Sequence, residues 1–184
     1  SLRVVIVDDS RVVRKLIKFK LEDVCRKIGG SWTFEQFETV ESLLAKVGVD
    51  DLVKERNVLI TIDESLEGTG GVLTGCDLIK KLAAASFRGV MASASAGTQA
   101  NDEHLALGAD FVFDNPLPQS DKILALLRRA FASKEAGTDA MQNPANARFG
   151  RHSGLSPALI WSAAGGGAAA SASESPRPSI AEAP

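Results

Sequence analysis

A doubly wound α/β sandwich, with a five-stranded parallel sheet between two layers of helix, is the fold class predicted for the first 133 or so of the 184 residues. Three features predict it. Short strand-like runs alternate with helix-period segments five times along the chain. The first and third runs are mostly apolar and β-branched, as strands buried on both faces of a parallel sheet are. Polar or glycine-rich residues follow these runs, where each strand would give way to a loop.

Leu2 to Val7 (LRVVIV) is the first strand, ended by Asp8-Asp9-Ser10. Ser10 suits a helix N-cap, where its hydroxyl accepts from an unsatisfied backbone N–H of the first turn. Val13, Ile17, Leu21 and Val24 then fall on one helical stripe, and Gly29-Gly30 is the stop signal. Trp32 to Glu38 alternates like a strand, and Val40 to Val47 supplies a short helix through Leu43, Leu44 and Val47. Val58 to Ile62 (VLITI) is the third strand, running into Asp63. The loop ESLEGTGGVLTG leads to a helix carrying Leu78, Ile79 and Leu82. Gly89 to about Ala94 is the fourth strand, followed by a helix around Asp102 to Leu107. Phe111 to Phe113 is the fifth strand, Asn115-Pro116 breaks the chain, and a last helix turns Leu124, Leu127 and Phe131 inward. Parallel strands need crossovers, and right-handed crossovers dominate, so five helices should cover both faces of the sheet. Ligands of such folds sit beyond the carboxyl ends of the strands, which makes the residues just after strands one, three, four and five the ones to read for chemistry.

A formal net charge of −2 gives no basic footprint for nucleic acid or an anionic membrane, and neither partner is expected. No apolar run approaches the ~20 residues of a membrane-spanning helix. The chain enters its first strand with no secretory signal, so a soluble cytoplasmic protein is expected. Cys25 and Cys76 each lie in a predicted helix without CxxC or metal-ligand spacing, and read as small core hydrophobes kept reduced. His104, in the fourth predicted helix, and His152 read as ordinary solvated residues. From residue 134 to 184 the composition shifts to Ala, Gly, Ser and Pro, which cannot bury enough surface to offset ordering entropy. A low-complexity, disordered tail is expected there, with LSPALIW its one apolar island.

The predicted topology brings Asp8, Asp9 and Asp63 to one edge of the sheet. Like charges so close repel, and each raises the pKa of the others unless a cation sits among them. Carboxylates, a backbone carbonyl and water are hard oxygen ligands that suit Mg²⁺.

These residues sit in a recognisable order. VVIVDDS followed by VRKLIKFKLE resembles the opening of response-regulator receiver (CheY-like) domains, in which an acidic pair follows the first strand. VLITIDESLEG and TGCDLIKKL resemble their third strand, phosphoacceptor aspartate and glycine-led third helix. SFRGVMASASAG resembles strand four with its small hydroxyl residue, and LGADFVFDNPL resembles the fifth strand and the lysine-proline segment. The match runs from Leu2 to about Ala132. It implies a flavodoxin-like receiver fold and a phosphoacceptor role in two-component or phosphorelay signalling, not an enzyme. Asp63 would be the phosphoacceptor, Asp8 and Asp9 would join it as Mg²⁺ ligands, and Ser65 would add its backbone carbonyl. The switch hydroxyl falls on Ser95 when counted forward from Gly75, or on Ser93 when counted back from Asn115. The phosphoryl donor would be a histidine kinase or histidine phosphotransfer protein. The output partner would meet the face of helix four, strand five and helix five. The chain would be a free-standing receiver or the C-terminal receiver of a hybrid histidine kinase.

Three positions depart from the family pattern. Asn115 stands where receivers carry a lysine that pairs with the acceptor carboxylate, and an amide donates hydrogen bonds without supplying charge. Val112 stands where an aromatic switch residue is common, between Phe111 and Phe113. The loop after Asp63 is roughly four residues longer than usual, which predicts a mobile cover over the site. This loop has neither a GxGxxG register nor a GK[ST] ending, so nucleotide binding is not expected. Asn115 also raises an alternative, a pseudo-receiver that keeps the fold but no longer switches. An aspartate phosphatase of the haloacid-dehalogenase kind would need a second acid two residues after its nucleophile. Asp63 is followed instead by Glu64-Ser65, and Asp9 by Ser10-Arg11.

Overall fold

The computed structural model describes residues 1–66 and 70–136. Residues 137–184, with His152, LSPALIW and nearly all of the expected tail, lie outside the described residues. The five strands are β1 (Leu2–Val7), β2 (Trp32–Phe37), β3 (Val58–Ile62), β4 (Val90–Ser93) and β5 (Phe111–Val112). All pair in parallel, in the order β2-β1-β3-β4-β5. The order reverses at β1, so the crevice between the ends of β1 and β3 is the switch point at which doubly wound sheets bind ligands.

The helices are α1 (Arg11–Ile28), α2 (Val40–Lys46), α3 (Val49–Lys54), α4 (Gly75–Ala84), α5 (Thr98–Leu107) and α6 (Ser120–Glu135). Six helices are described rather than the five predicted, because after α2, which matches the predicted helix, the chain breaks and forms a second short helix, α3, before β3. Gly48 causes the break: at φ +77° it sits in the left-handed region that glycine enters without steric cost, and it redirects the chain so that α3 can bury Leu52.

Alternating strand residues divide the core. Val5, Val7, Ile60, Ile62 and Met91 pack under α2 to α5 with Leu43, Leu52, Leu78, Ile79 and Leu82. Val4, Ile6, Leu59, Val90, Ala92 and Phe111 pack under α1 and α6 with Ile17, Leu21, Val24, Ile123 and Leu127. Phe111 and Phe113 meet edge to face at 5.2 Å inside this second layer. The buried stripe of α6 is turned from the predicted one: Ile123, Leu126, Leu127 and Ala130 are buried, while Leu124 and Phe131 only flank them. In α1, Arg14 joins the buried stripe with Ile17, Leu21 and Val24.

Serine and threonine caps fix three helix starts. Ser10 accepts from the Val13 N–H, and Thr39 and Thr74 each form a reciprocal capping box. The described part of the long loop after β3 is tied down: Glu41 Oε1 accepts from the N–H groups of Val72 (2.7 Å) and Leu73 (2.8 Å). Residues 67–69 of that loop lie outside the described residues. No helix among the described residues is long and apolar enough to cross a membrane.

Candidate functional site: two clusters at the carboxyl edge

The ends of β1 and β3 bring Asp8, Asp9 and Asp63 together, with carboxylate oxygens within 4.8 Å of one another. Asp8 is 3 % exposed and accepts from the Ser10 N–H at 2.8 Å. Burial chiefly, and then the charges of Asp63 and Asp9, push its pKa up to about 6. Burial also raises the pKa of Asp63, against hydrogen bonds from the Glu64 backbone and the Ser95 hydroxyl that favour its charged form. Among the described residues, no lysine or arginine pairs with Asp63.

Gly75 lets α4 start against this strand end. A Cβ there would lie 2.2 Å from the Asp63 carbonyl oxygen, a distance no side chain can occupy. Ser65 follows in the loop, where its carbonyl is free of helix or strand pairing.

The two candidate hydroxyls separate cleanly. Ser95, just past β4, faces Asp63. Ser93, fully buried in β4, points instead to α5, with its Oγ 2.7 Å from Nδ1 of His104 and 2.6 Å from Oδ1 of Asn101. Asn115 is exposed after β5, and its bond to Pro116 is cis. Val112 is half-buried between its two inward phenylalanines.

His104 corrects the sequence reading. It is not solvated but fully buried, with Nε2 2.8 Å from Glu64 Oε2 and Nδ1 on Ser93. A polar ring is stable there because both nitrogens find partners. Residues 98–107 carry too weak an apolar stripe to fix the phase of α5, so no pattern put His104 inward. Cys25 departs from the expectation as well, since it is only half-buried and its thiol donates to the Gly30 carbonyl at 3.1 Å. Cys76 is a free thiol buried with the core hydrophobes, as expected, and it sits at the first turn of α4 beside Glu64, to whose Oε2 its N–H donates at 2.8 Å. Burial and the carboxylates of Glu64 and Glu103 push the Cys76 thiol up to about 11. Glu64, Cys76 and His104 thus form a second cluster whose ligand atoms also lie within 4.8 Å of one another.

Arg14 is a third residue the sequence reading missed. Its buried guanidinium donates to the carbonyls of Asp8 (2.5 Å) and Asp9 (3.1 Å) and pairs with Glu38 at 2.6 Å, bracing the turn that carries both acids. The signal was there: position 14 shares a helical face with Ile17, Leu21 and Val24.

No family model and no curated protein sequence matches the chain. Solved structures do. The receiver domain of NtrX from Brucella abortus matches at 21 % identity and TM-score 0.53, over 71 % of this chain and 98 % of that one. A CheY-like response-regulator receiver protein from Methanospirillum hungatei matches at 20 % identity and TM-score 0.54, over 74 % and 99 %. A response regulator from Burkholderia pseudomallei, described with a phosphorylated aspartic acid, a calcium ion and citrate, matches at 17 % identity and TM-score 0.51, over 78 % and 76 %. The fold is therefore that of response-regulator receiver domains, the flavodoxin-like α/β sandwich. At these identities the likeness extends to the fold and no further.

Proposed function

We propose that the chain is a phosphoacceptor receiver domain of two-component or phosphorelay signalling, with Asp63 taking the phosphoryl group. The observation that carries this reading is the convergence of Asp8, Asp9 and Asp63 at the switch point of a receiver fold. The donor set fits a hard divalent cation: three carboxylates lie close together, and Asp8 is pushed up to about 6, chiefly by burial and then by the charges of Asp63 and Asp9. Asp8, Asp9, Asp63 and the Ser65 carbonyl would hold Mg²⁺, a reading in keeping with the Burkholderia response regulator described with a phosphorylated aspartic acid and a calcium ion. When bound, the ion neutralises charge on the transferring phosphoryl oxygens.

The chain's residues do the rest. Asp63 attacks the phosphorus of a phosphohistidine or small acyl phosphate, forming a P–O bond as the donor's bond breaks. The leaving group keeps the electron pair. Ser95 donates a hydrogen bond at the acceptor, and Arg14 holds the acidic turn in place. A histidine kinase or histidine phosphotransfer protein is the expected donor. The face of α5, β5 and α6 would be the output surface, and a cytoplasmic setting follows from that role.

Asn115 favours a second reading, a pseudo-receiver that binds partners without switching, because no ammonium answers the charge of Asp63. One experiment separates them. Incubation with Mg²⁺ and acetyl phosphate should add one phosphoryl mass to the wild type and none to Asp63→Asn. A wild type that gains no mass and shows no Mg²⁺-dependent response to beryllofluoride would leave the pseudo-receiver reading standing.

A further inference from the structure

The second cluster is chemically unlike the first, and the hydrogen bonds around His104 show what it lacks. The Ser95 carbonyl can only accept, so the Asn101 amide atom 3.0 Å from it is the Nδ2 donor. Asn101 Oδ1 then faces Ser93 Oγ at 2.6 Å and takes that hydroxyl's single hydrogen. Ser93 Oγ is left to accept, and its remaining neighbour is Nδ1 of His104 at 2.7 Å, which must carry a hydrogen. In the neutral ring Nε2 therefore presents a lone pair to Glu64 Oε2, another acceptor, 2.8 Å away. Two acceptors at that distance need a cation between them. A shared proton suffices. The Cys76 sulfur, within 4.8 Å of both, supplies a third donor atom, which a proton does not require.

We propose that Glu64, Cys76 and His104 form a second metal site, for a divalent ion of borderline softness such as Zn²⁺, beside and separate from the hard-oxygen site. Imidazole nitrogen, thiolate sulfur and carboxylate oxygen are the zinc ligand types, at about 2.0–2.3 Å from the ion. Tetrahedral ligands at those lengths stand about 3.3–3.7 Å apart. The Glu64–His104 contact must open by about half an ångström, and Glu64, at 26 % side-chain exposure, has room to move. Ser93 is the outer partner that fixes the tautomer of a metal-bound histidine, leaving Nε2 for the ion. The fourth position falls to water or to Glu103, whose Oε2 is 4.0 Å from Cys76 Sγ. Binding releases the thiol proton and any proton on Nε2 to solvent, and no electron is transferred. An occupied site would pin the end of β3, the start of α4 and the middle of α5 to one point next to Asp63. The site does not depend on phosphoryl transfer.

The test uses the full chain, reduced, stripped with chelator and titrated with Co²⁺. A single equivalent should bind with a thiolate-to-cobalt absorption in the near ultraviolet, be displaced by Zn²⁺ and persist in excess Mg²⁺. Cys76→Ser, close in volume to the native side chain, should abolish the thiolate band. Glu64→Gln should weaken Zn²⁺ binding by roughly 10- to 100-fold while the far-ultraviolet circular dichroism is unchanged. Cys25→Ser and His152→Ala should change neither. A band that survives Cys76→Ser, a band lost in Cys25→Ser or on adding Mg²⁺, or no Co²⁺ binding by the folded wild type would each overturn the proposal.

Discussion

The two clusters share one dipeptide and face opposite ways. Asp63 turns to the acids after β1, and Glu64 turns to Cys76 and His104 on α4 and α5. The first cluster is all oxygen and short of positive charge, and its burial shows as a raised Asp8 pKa. The second balances a carboxylate with a ring and a thiol, and burial and hydrogen bonding hold it in place. One strand end can thus present a hard site and a borderline site side by side, because successive residues leave a strand on opposite sides.

The largest test strikes both clusters at once. Gly75→Ala places a Cβ against the Asp63 carbonyl and should cost about 3 kcal/mol in urea unfolding, displacing the start of α4 from the strand end. A loss under 0.5 kcal/mol, that of an ordinary surface change, would mean that the two elements are not locked.

Next comes Asp8, which separates the clusters. Its folded pKa lies above the ordinary carboxylate value, so the native state binds the proton more tightly than the unfolded chain does. Stability from this group is present at acid pH and is lost as pH rises through about 6. Asp8→Asn should therefore stabilise the metal-free protein by about 2 kcal/mol at pH 7.5, with the gain vanishing near pH 4. Mg²⁺ should raise the melting temperature of the wild type and leave that of Asp8→Asn unchanged. A gain equal at both pH values would rule out relief of a buried charge.

Asn115→Lys restores a cation to the oxygen cluster alone. Phosphorylation by acetyl phosphate should accelerate about tenfold, equivalent to ~1.4 kcal/mol, as followed by intact mass over time. An unchanged rate would show that a lysine at this position does not reach Asp63. Thr74→Ala loosens the helix that carries Cys76 by removing its cap, at a cost of about 1 kcal/mol. Mg²⁺ affinity, read by calorimetry, should stay the same, and a parallel loss would show that the clusters are not independent.

The oxygen cluster was legible in the sequence because its acids end strands, and a strand end is marked in the chain by the stop of an apolar run. The mixed cluster was not. Its ligands are 12 and 40 positions from Glu64, on two helices, one of which has almost no apolar stripe to orient it. Among the layers, β1, β3 and α4 followed their patterns closely. The α2–α3 segment did so only in part: α2 matches its pattern, but the six-residue α3 that follows Gly48 buries a single leucine, too little to leave a stripe in the sequence. In α6 several apolar residues compete for the inward face, and contact with the sheet chose among them.

The grip of Glu41 on the Val72 and Leu73 amides has a consequence in chain statistics. Ten residues separate Glu64 from Gly75, and the entropy of closing such a connection grows with the logarithm of its length. A crosspoint near its far end leaves a shorter span to close, and each halving is worth about 0.6 kcal/mol. A long connection beside Asp63 is tolerable when a carboxylate on a neighbouring helix ties it down, so Glu41 sets how much chain this edge of the sheet can carry.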